Sequence, residues 1–221
     1  MAREQEIPVS EPNHPSETIR VLITDDHPVM RRGLNAAITQ EPDMELVGEA
    51  ADGAEAIAMY RALRPSVALV DLQMPNVDGL EAIAAIRGEF PDAVLIVLTS
   101  YPGDARVMRA LTLGATSYLL KSATLEEIIK AIRASVAGRH VVAPEVAHEI
   151  ARHAGSENLT MRETSVLRLA ASGKSNKAIA EALFISEDTV KSRMRSIMAK
   201  LGALDRTHAV MIAVQRGFLD S

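Results

Sequence analysis

The chain has 221 residues, 48% of them apolar but only 3% aromatic, and it contains no cysteine. That length suits one large domain or two small ones, and the missing thiols exclude disulfides, cysteine nucleophiles, iron–sulfur clusters and cysteine zinc sites. The formal charge of −5 argues against a uniformly basic nucleic-acid binder.

Residues 1–18 are polar, carry Pro8, Pro12 and Pro15, show no periodicity and read as a disordered extension. From 19 to 138 short β-rich runs alternate with amphipathic stretches. The runs fall at 19–24, 44–50, 67–72, 93–99 and 117–120, with helices expected near 28–40, 54–63, 79–88, 104–113 and 124–137. Thr124-Leu-Glu-Glu127 is a capping box that opens the last of these. The pattern predicts a doubly wound α/β domain with a parallel five-stranded sheet covered on both faces. The third and fourth runs are almost continuously apolar, as central parallel strands should be. Residues 139–158 read as a linker with one short helix.

From 159 to 221 only helical periods remain, which predicts a small all-α domain. Thr160-Met-Arg-Glu163 is a second capping box, Gly173 ends its helix, and Ser175 and Ser186 cap the next two. On the helix 186–201, Val190, Met194, Ile197 and Leu201 form one buried stripe, while Lys191, Ser192 and Arg195 share another face and Lys200 lies near its end. Such a helix can enter a major groove while Lys177 touches phosphate. Charge supports this, since residues 1–155 carry a net −8 and residues 156–221 a net +3. In the final helix, 207–216, Ala209, Ile212 and Ala213 can face the module's own core. Val210 and Val214 would then remain for a second copy.

Ligands of doubly wound sheets bind at the carboxyl ends of the strands. There the sequence places Asp25 and Asp26 after the first run, Asp71 at the end of the third, Thr99 at the end of the fourth and Lys121 after the fifth. Hard carboxylate oxygens suit Mg²⁺, and Lys121 with Thr99 could hold the oxygens of a transferring phosphoryl group. His27 reads as a loop residue rather than a ligand. His148 and His153, five apart, do not share a helical face.

Asp25-Asp26, Asp71-Leu-Gln-Met-Pro75-Asn-Val-Asp-Gly79, Thr99, Gly114-Ala115 and Tyr118-Leu-Leu-Lys121 resemble the receiver domain of response regulators. Leu159-Thr-Met-Arg-Glu163, Gly173-Lys-Ser-Asn-Lys177-Ala-Ile-Ala180, Ile185-Ser-Glu-Asp-Thr-Val-Lys191 and Lys200-Leu-Gly202 resemble the LuxR-type helix-turn-helix. The order of the two resembles the NarL/FixJ class over about residues 19–219. That resemblance implies a flavodoxin-like receiver in which Asp71 accepts a phosphoryl group from a sensor histidine kinase. Asp25, Asp26 and Asp71 would hold Mg²⁺ together with the Gln73 carbonyl, and Thr99 and Tyr118 would shift on phosphorylation. It further implies DNA contact by Lys191, Ser192 and Arg195, a homodimer on two-fold half-sites, and RNA polymerase as partner of an activator. Arg193 stands where the family usually has His, and Ser122 where Asp is common.

The expected function is therefore a phosphorylation-switched DNA-binding regulator rather than an enzyme. The alternative is a phosphorylation-independent regulator whose receiver only dimerises or senses a ligand. A stand-alone phosphohydrolase would want a second acid where Gln73 stands. No apolar run nears the roughly 18 residues that span a bilayer, and the N-terminus lacks a signal peptide's apolar core. A soluble, cytoplasmic protein is expected, with the acidic receiver resting against the basic module and covering Lys191 and Arg195.

Overall fold

The computed structural model describes residues 18–100, 104–152 and 159–219. The extension expected at 1–18 therefore lies almost wholly outside the described residues. Five parallel strands, β1 (Ile19–Thr24), β2 (Met44–Ala50), β3 (Val67–Val70), β4 (Leu95–Thr99) and β5 (Ser117–Leu120), form one sheet in the order β2-β1-β3-β4-β5. The helices between them are α1 (Pro28–Thr39), α2 (Gly53–Leu63), α3 (Gly79–Glu89), α4 (Asp104–Thr112) and α5 (Leu125–Val136). Contacts pair α1 with α5, and α2 with α3 and α3 with α4, so the sheet is covered on both faces. That is why β3 and β4 are apolar on both sides: every residue of each is buried. Burying one such Val, Leu or Ile side chain is worth about 1.5–3 kcal/mol.

Strand order reverses at β1, so the loops after β1 and β3 open side by side at the carboxyl edge. β3 ends at Val70, two residues earlier than its apolar run suggests, and Asp71 is the first residue past it. The loop that follows is held in place by its neighbours. Asn76 adopts a left-handed φ of 64° and its amide donates to Asp52, and the Gly53 N–H donates to the Val77 carbonyl. Asp78 and Glu81 cap α3 reciprocally.

Residues 139–152 are more than a linker. Tyr118 and Val142 form a parallel β-bridge on the outer edge of β5. Helix α6 (Pro144–Arg152) then packs on α4 and β5, burying Val146 completely in the receiver's core.

The second domain comprises α7 (Met161–Ala171), α8 (Asn176–Leu183), α9 (Glu187–Leu201) and α10 (Arg206–Gln215) around a separate core. Thr160, Ser175, Ser186 and Asp205 cap the four helices through side-chain oxygens. Val190, Met194, Ile197 and Leu201 are buried as their spacing predicts. Among the described residues no helix is long and apolar enough to cross a membrane.

The two domains touch where the Ala105 N–H at the start of α4 donates to the Arg216 carbonyl just past α10, at 3.0 Å. Lys191, Ser192 and Arg195 are all exposed. The expectation that the receiver covers Lys191 and Arg195 is thus corrected: the receiver meets the residues just past α10, Ala105 bonding Arg216 and Arg106 lying against Gly217, and leaves those side chains of α9 exposed.

Candidate functional site

The chemistry sits at the carboxyl edge of β1, β3, β4 and β5. The Lys121 ammonium is 2.7 Å from Asp25 Oδ2 and 2.7 Å from Asp71 Oδ2, joining two carboxylates that are each only 1–2% exposed. Asp71 Oδ1 accepts the Gln73 N–H at 3.1 Å, and Asp25 Oδ1 accepts the His27 N–H at 2.8 Å. The backbone holds the frame: Asp71 N–H donates to Thr24 O, Asp25 N–H to Ala50 O and Lys121 N–H to Thr99 O. Each functional residue is therefore fixed by a strand end rather than by a free loop.

Burial pushes the Asp71 carboxyl above the ordinary aspartate range; hydrogen bonds from Lys121 and Gln73 work against this, and the Asp25 charge adds to it. Lys121 is also desolvated, which alone would lower its pKa, but Asp25 and Asp71 outweigh that and raise it. The ammonium therefore stays charged at neutral pH, beside a carboxylate that solvent reaches poorly.

Ligand atoms of Asp25, Asp26, His27 and Asp71 lie within 4.8 Å of one another. Asp25 Oδ2 is met by the Lys121 ammonium and Asp26 Oδ1 by His27 Nδ1, neither through a well-directed hydrogen bond, so their remaining lone pairs are open to a hard cation. His27, read from the sequence as a loop residue, joins this cluster with Nδ1 2.6 Å from Asp26 Oδ1. Its place directly after the acidic pair was the signal that could have found it.

Thr99 is 2% exposed and Tyr118 fully buried. Burial raises the Tyr118 hydroxyl's pKa far above its usual value, so it stays protonated. Arg106 of α4, which sequence reading did not single out, feels the charges of Asp78, Tyr118 and Asp71. Nothing in its local pattern marks it, since only the tertiary placement of α4, packed against α3 and α6, brings it there.

In the helical domain Lys177, Lys191, Ser192 and Arg195 are exposed. Lys200 differs from the expected free cation: its ammonium pairs with Glu163 at 2.9 Å, and Ser196 Oγ donates to the same carboxylate at 2.7 Å. Burial alone would push Glu163 up, yet hydrogen bonds from the Thr160 N–H, Ser196, Lys200 and the Thr160 hydroxyl bring its pKa down to about 2. Val210 packs partly against the module's own core, so the outward apolar face of α10 consists of Met211 and Val214, 56% and 36% exposed.

Comparison with known proteins agrees with this division. The family described as response regulator receiver domain matches residues 21–133, and the luxR family of bacterial regulatory proteins matches residues 157–213. The chain is 43% identical over 203 residues to the transcriptional regulatory protein LiaR of Bacillus subtilis strain 168, covering 88% of this chain and 96% of that one. It is 39% identical over 207 residues to the response regulator protein VraR of Staphylococcus aureus strain NCTC 8325, covering 91% and 99%. Among solved structures, two RcsB dimers bound to two parallel DNAs match with a TM-score of 0.67 at 29% identity, covering 90% and 99%. The response regulator ChrA of a heme-sensing two-component system matches with a TM-score of 0.55 at 35% identity, covering 91% and 99%.

Proposed function

The chain belongs to the two-component response regulators that join a receiver to a LuxR-type DNA-binding domain, and from that premise we propose that Asp71 is its phosphoryl acceptor. It is a transcriptional regulator, not a classical enzyme. The observation that carries the assignment is the Lys121 ammonium bridging Asp25 and Asp71 at 2.7 Å on the sheet's carboxyl edge. An Asp71 oxygen attacks the phosphorus of a phosphohistidine on a sensor kinase. The P–O bond forms as the P–N bond breaks, and the imidazole keeps the electron pair. Lys121 and the Thr99 hydroxyl hold the phosphoryl oxygens, where charge stabilisation does most of the work.

Asp25, Asp26 and Asp71, with the Gln73 carbonyl, are the residues that would hold Mg²⁺, and hard carboxylate oxygens suit that ion. When bound it would offset repulsion between the incoming phosphoryl oxygens and the carboxylates.

In the output domain, α9 is the recognition helix. Arg195 and Ser192 read bases, Lys191 and Lys177 meet phosphate, and Lys200 can reach DNA only by leaving Glu163. Val214, with Met211 and the half-buried Val210, forms the surface for a second copy, so that a dimer reads two-fold half-sites. RNA polymerase is the further partner if the bound protein activates, and the cytoplasm is where such a regulator acts.

The test is mass spectrometry after treatment with a small phosphodonor and Mg²⁺. The wild-type chain gains one phosphoryl group and Asp71→Asn gains none, because an amide does not attack phosphorus. An undiminished gain in the variant refutes the assignment.

A further inference from the structure

The turn that leads from α7 into α8 is held by a residue of a third helix. Ser172, Gly173, Lys174 and Ser175 are all exposed. On the α7 side two backbone bonds close the turn. The Gly173 N–H donates to Ala170 O at 3.1 Å and the Lys174 N–H to Leu169 O at 3.2 Å, with Gly173 left-handed at a φ of 78°. On the α8 side the Ser175 hydroxyl accepts the Ala178 N–H at 3.3 Å. The brace across the turn is Arg206, the first residue of α10. Its Nη2 donates to Ala170 O at 3.2 Å and to Lys174 O, and its Nη1 donates to Asn176 Oδ1 at 3.3 Å.

These acceptors belong to three successive pieces of chain. Ala170 O is among the last carbonyls of α7, Lys174 O belongs to the turn, and Asn176 opens α8. A cation that merely complemented the end of α7 would need only the first. The other two fix where α8 starts relative to α7. The planar guanidinium suits this task, because its donors point in fixed directions and one group reaches all three acceptors. The same geometry turns the end of the fork inward, so Arg206 is half-buried while Lys174 and Lys177 are exposed.

We propose that Arg206 is a positioning residue for DNA binding: it holds the turn at 172–175 so that Lys177 meets phosphate in one fixed geometry, and it does not touch DNA itself. The proposal rests on the reading of Lys177 as a phosphate contact. Helix α8 has only eight residues, and Lys177 lies in its first turn, so a tilt of that turn carries the ammonium away from its phosphate. A turn left loose must also be ordered when DNA binds, and that entropy is lost from the affinity. Arg206 orders it beforehand.

Anisotropy titration of the full-length chain with a random-sequence duplex, repeated across salt concentrations, tests this, because such DNA reports phosphate contact without base reading. Arg206→Lys keeps the charge and loses the fork. It should weaken binding roughly fivefold or more and lower the salt slope by about one unit, as though the Lys177 contact had gone. Lys177→Ala should lower affinity and slope in the same way. Adding Arg206→Lys to it should weaken binding by less than about twofold more, since both changes remove one contact. Should Arg206→Lys unfold the output domain by circular dichroism, Asn176→Ala removes one acceptor and leaves both carbonyl bonds. Its loss of affinity should likewise vanish in the Lys177→Ala background. A wild-type slope in Arg206→Lys, wild-type affinity in its substitute, or an undiminished loss beside Lys177→Ala overturns the positioning role and leaves the Lys177 reading standing. Wild-type affinity and slope in Lys177→Ala refute the phosphate contact, and the proposal with it.

Discussion

Gly79 and Asp71 stand backbone to backbone: a Cβ built on Gly79 would lie 2.0 Å from the Asp71 carbonyl oxygen and 2.8 Å from Leu72 Cα. The first turn of α3 is pressed against the loop that begins at Asp71, and the Gly79 N–H donates to Leu72 O at 3.2 Å. The glycine is needed for its missing side chain rather than for an unusual φ.

Gly79→Ala should therefore displace the backbone at the acceptor. Overpacking of this kind costs about 1–3 kcal/mol, readable as a lowered receiver melting temperature. Phosphoryl labelling should also fall at least tenfold, because a shifted Asp71 loses its registry with Lys121. Wild-type labelling together with wild-type stability would show that the loop has room to give.

Removing the cation from the buried carboxylates should change both rate and pH dependence. As the proposed acceptor Asp71 must be a carboxylate, and burial already raises its pKa, so labelling should decline on acidification at a pH above the ordinary aspartate range. Lys121→Met deletes a group that lowers that pKa, which moves the decline to still higher pH and reduces labelling at neutral pH. Rates of acetyl phosphate labelling between pH 5 and 8 would check this; an unshifted profile contradicts it.

Glu163 links the stability of the output domain to pH. Its pKa falls from 4.5 to about 2 on folding. The stabilisation is therefore complete above pH 4.5 and is lost as pH falls toward 2. Glu163→Gln should destabilise the helical domain at pH 7 by about 1.5–3 kcal/mol, the range for hydrogen bonds to a charged group. The gap to wild type should close on acidification. Helical circular dichroism melts of both full-length proteins at pH 7, 4 and 3 measure it.

Arg195 and Lys191 should separate in a DNA titration. Arg195→Ala should lose about 1–3 kcal/mol of discrimination at guanine positions, since its fork can reach O6 and N7 together. Lys191→Ala should weaken binding evenly across sequences and reduce the salt slope by about one unit. Lys191 also pairs with Glu187 and Asp188 on the exposed surface of α9, which offsets part of its loss. Equal effects on all sequences from both variants would remove the distinction.

Much of this molecule is determined by local patterning. The alternation of apolar runs with amphipathic stretches sets the strand and helix order, because burial on two faces demands it. The caps at Thr124, Thr160, Ser175 and Ser186 need only hydrogen bonds to residues three positions on. The order of Asp25, Asp26, Asp71, Thr99 and Lys121 at strand ends is enough to converge them once the sheet is parallel and doubly wound.

What the tertiary structure alone decided involves partners far apart in sequence or bonds that no side chain advertises. Lys200 lies on the same helix as Lys191 and Arg195, yet Glu163 of another helix turns its ammonium inward. His27 becomes part of the acidic cluster and Arg106 comes under the charge of Asp71 through packing. Residues 141–143 join the sheet through backbone N–H and C=O groups, which every non-proline residue carries alike. A segment that bridges to a sheet by its peptide groups leaves no mark in the residue types, and so part of the stretch that reads as a linker proves to lie along the outer edge of β5.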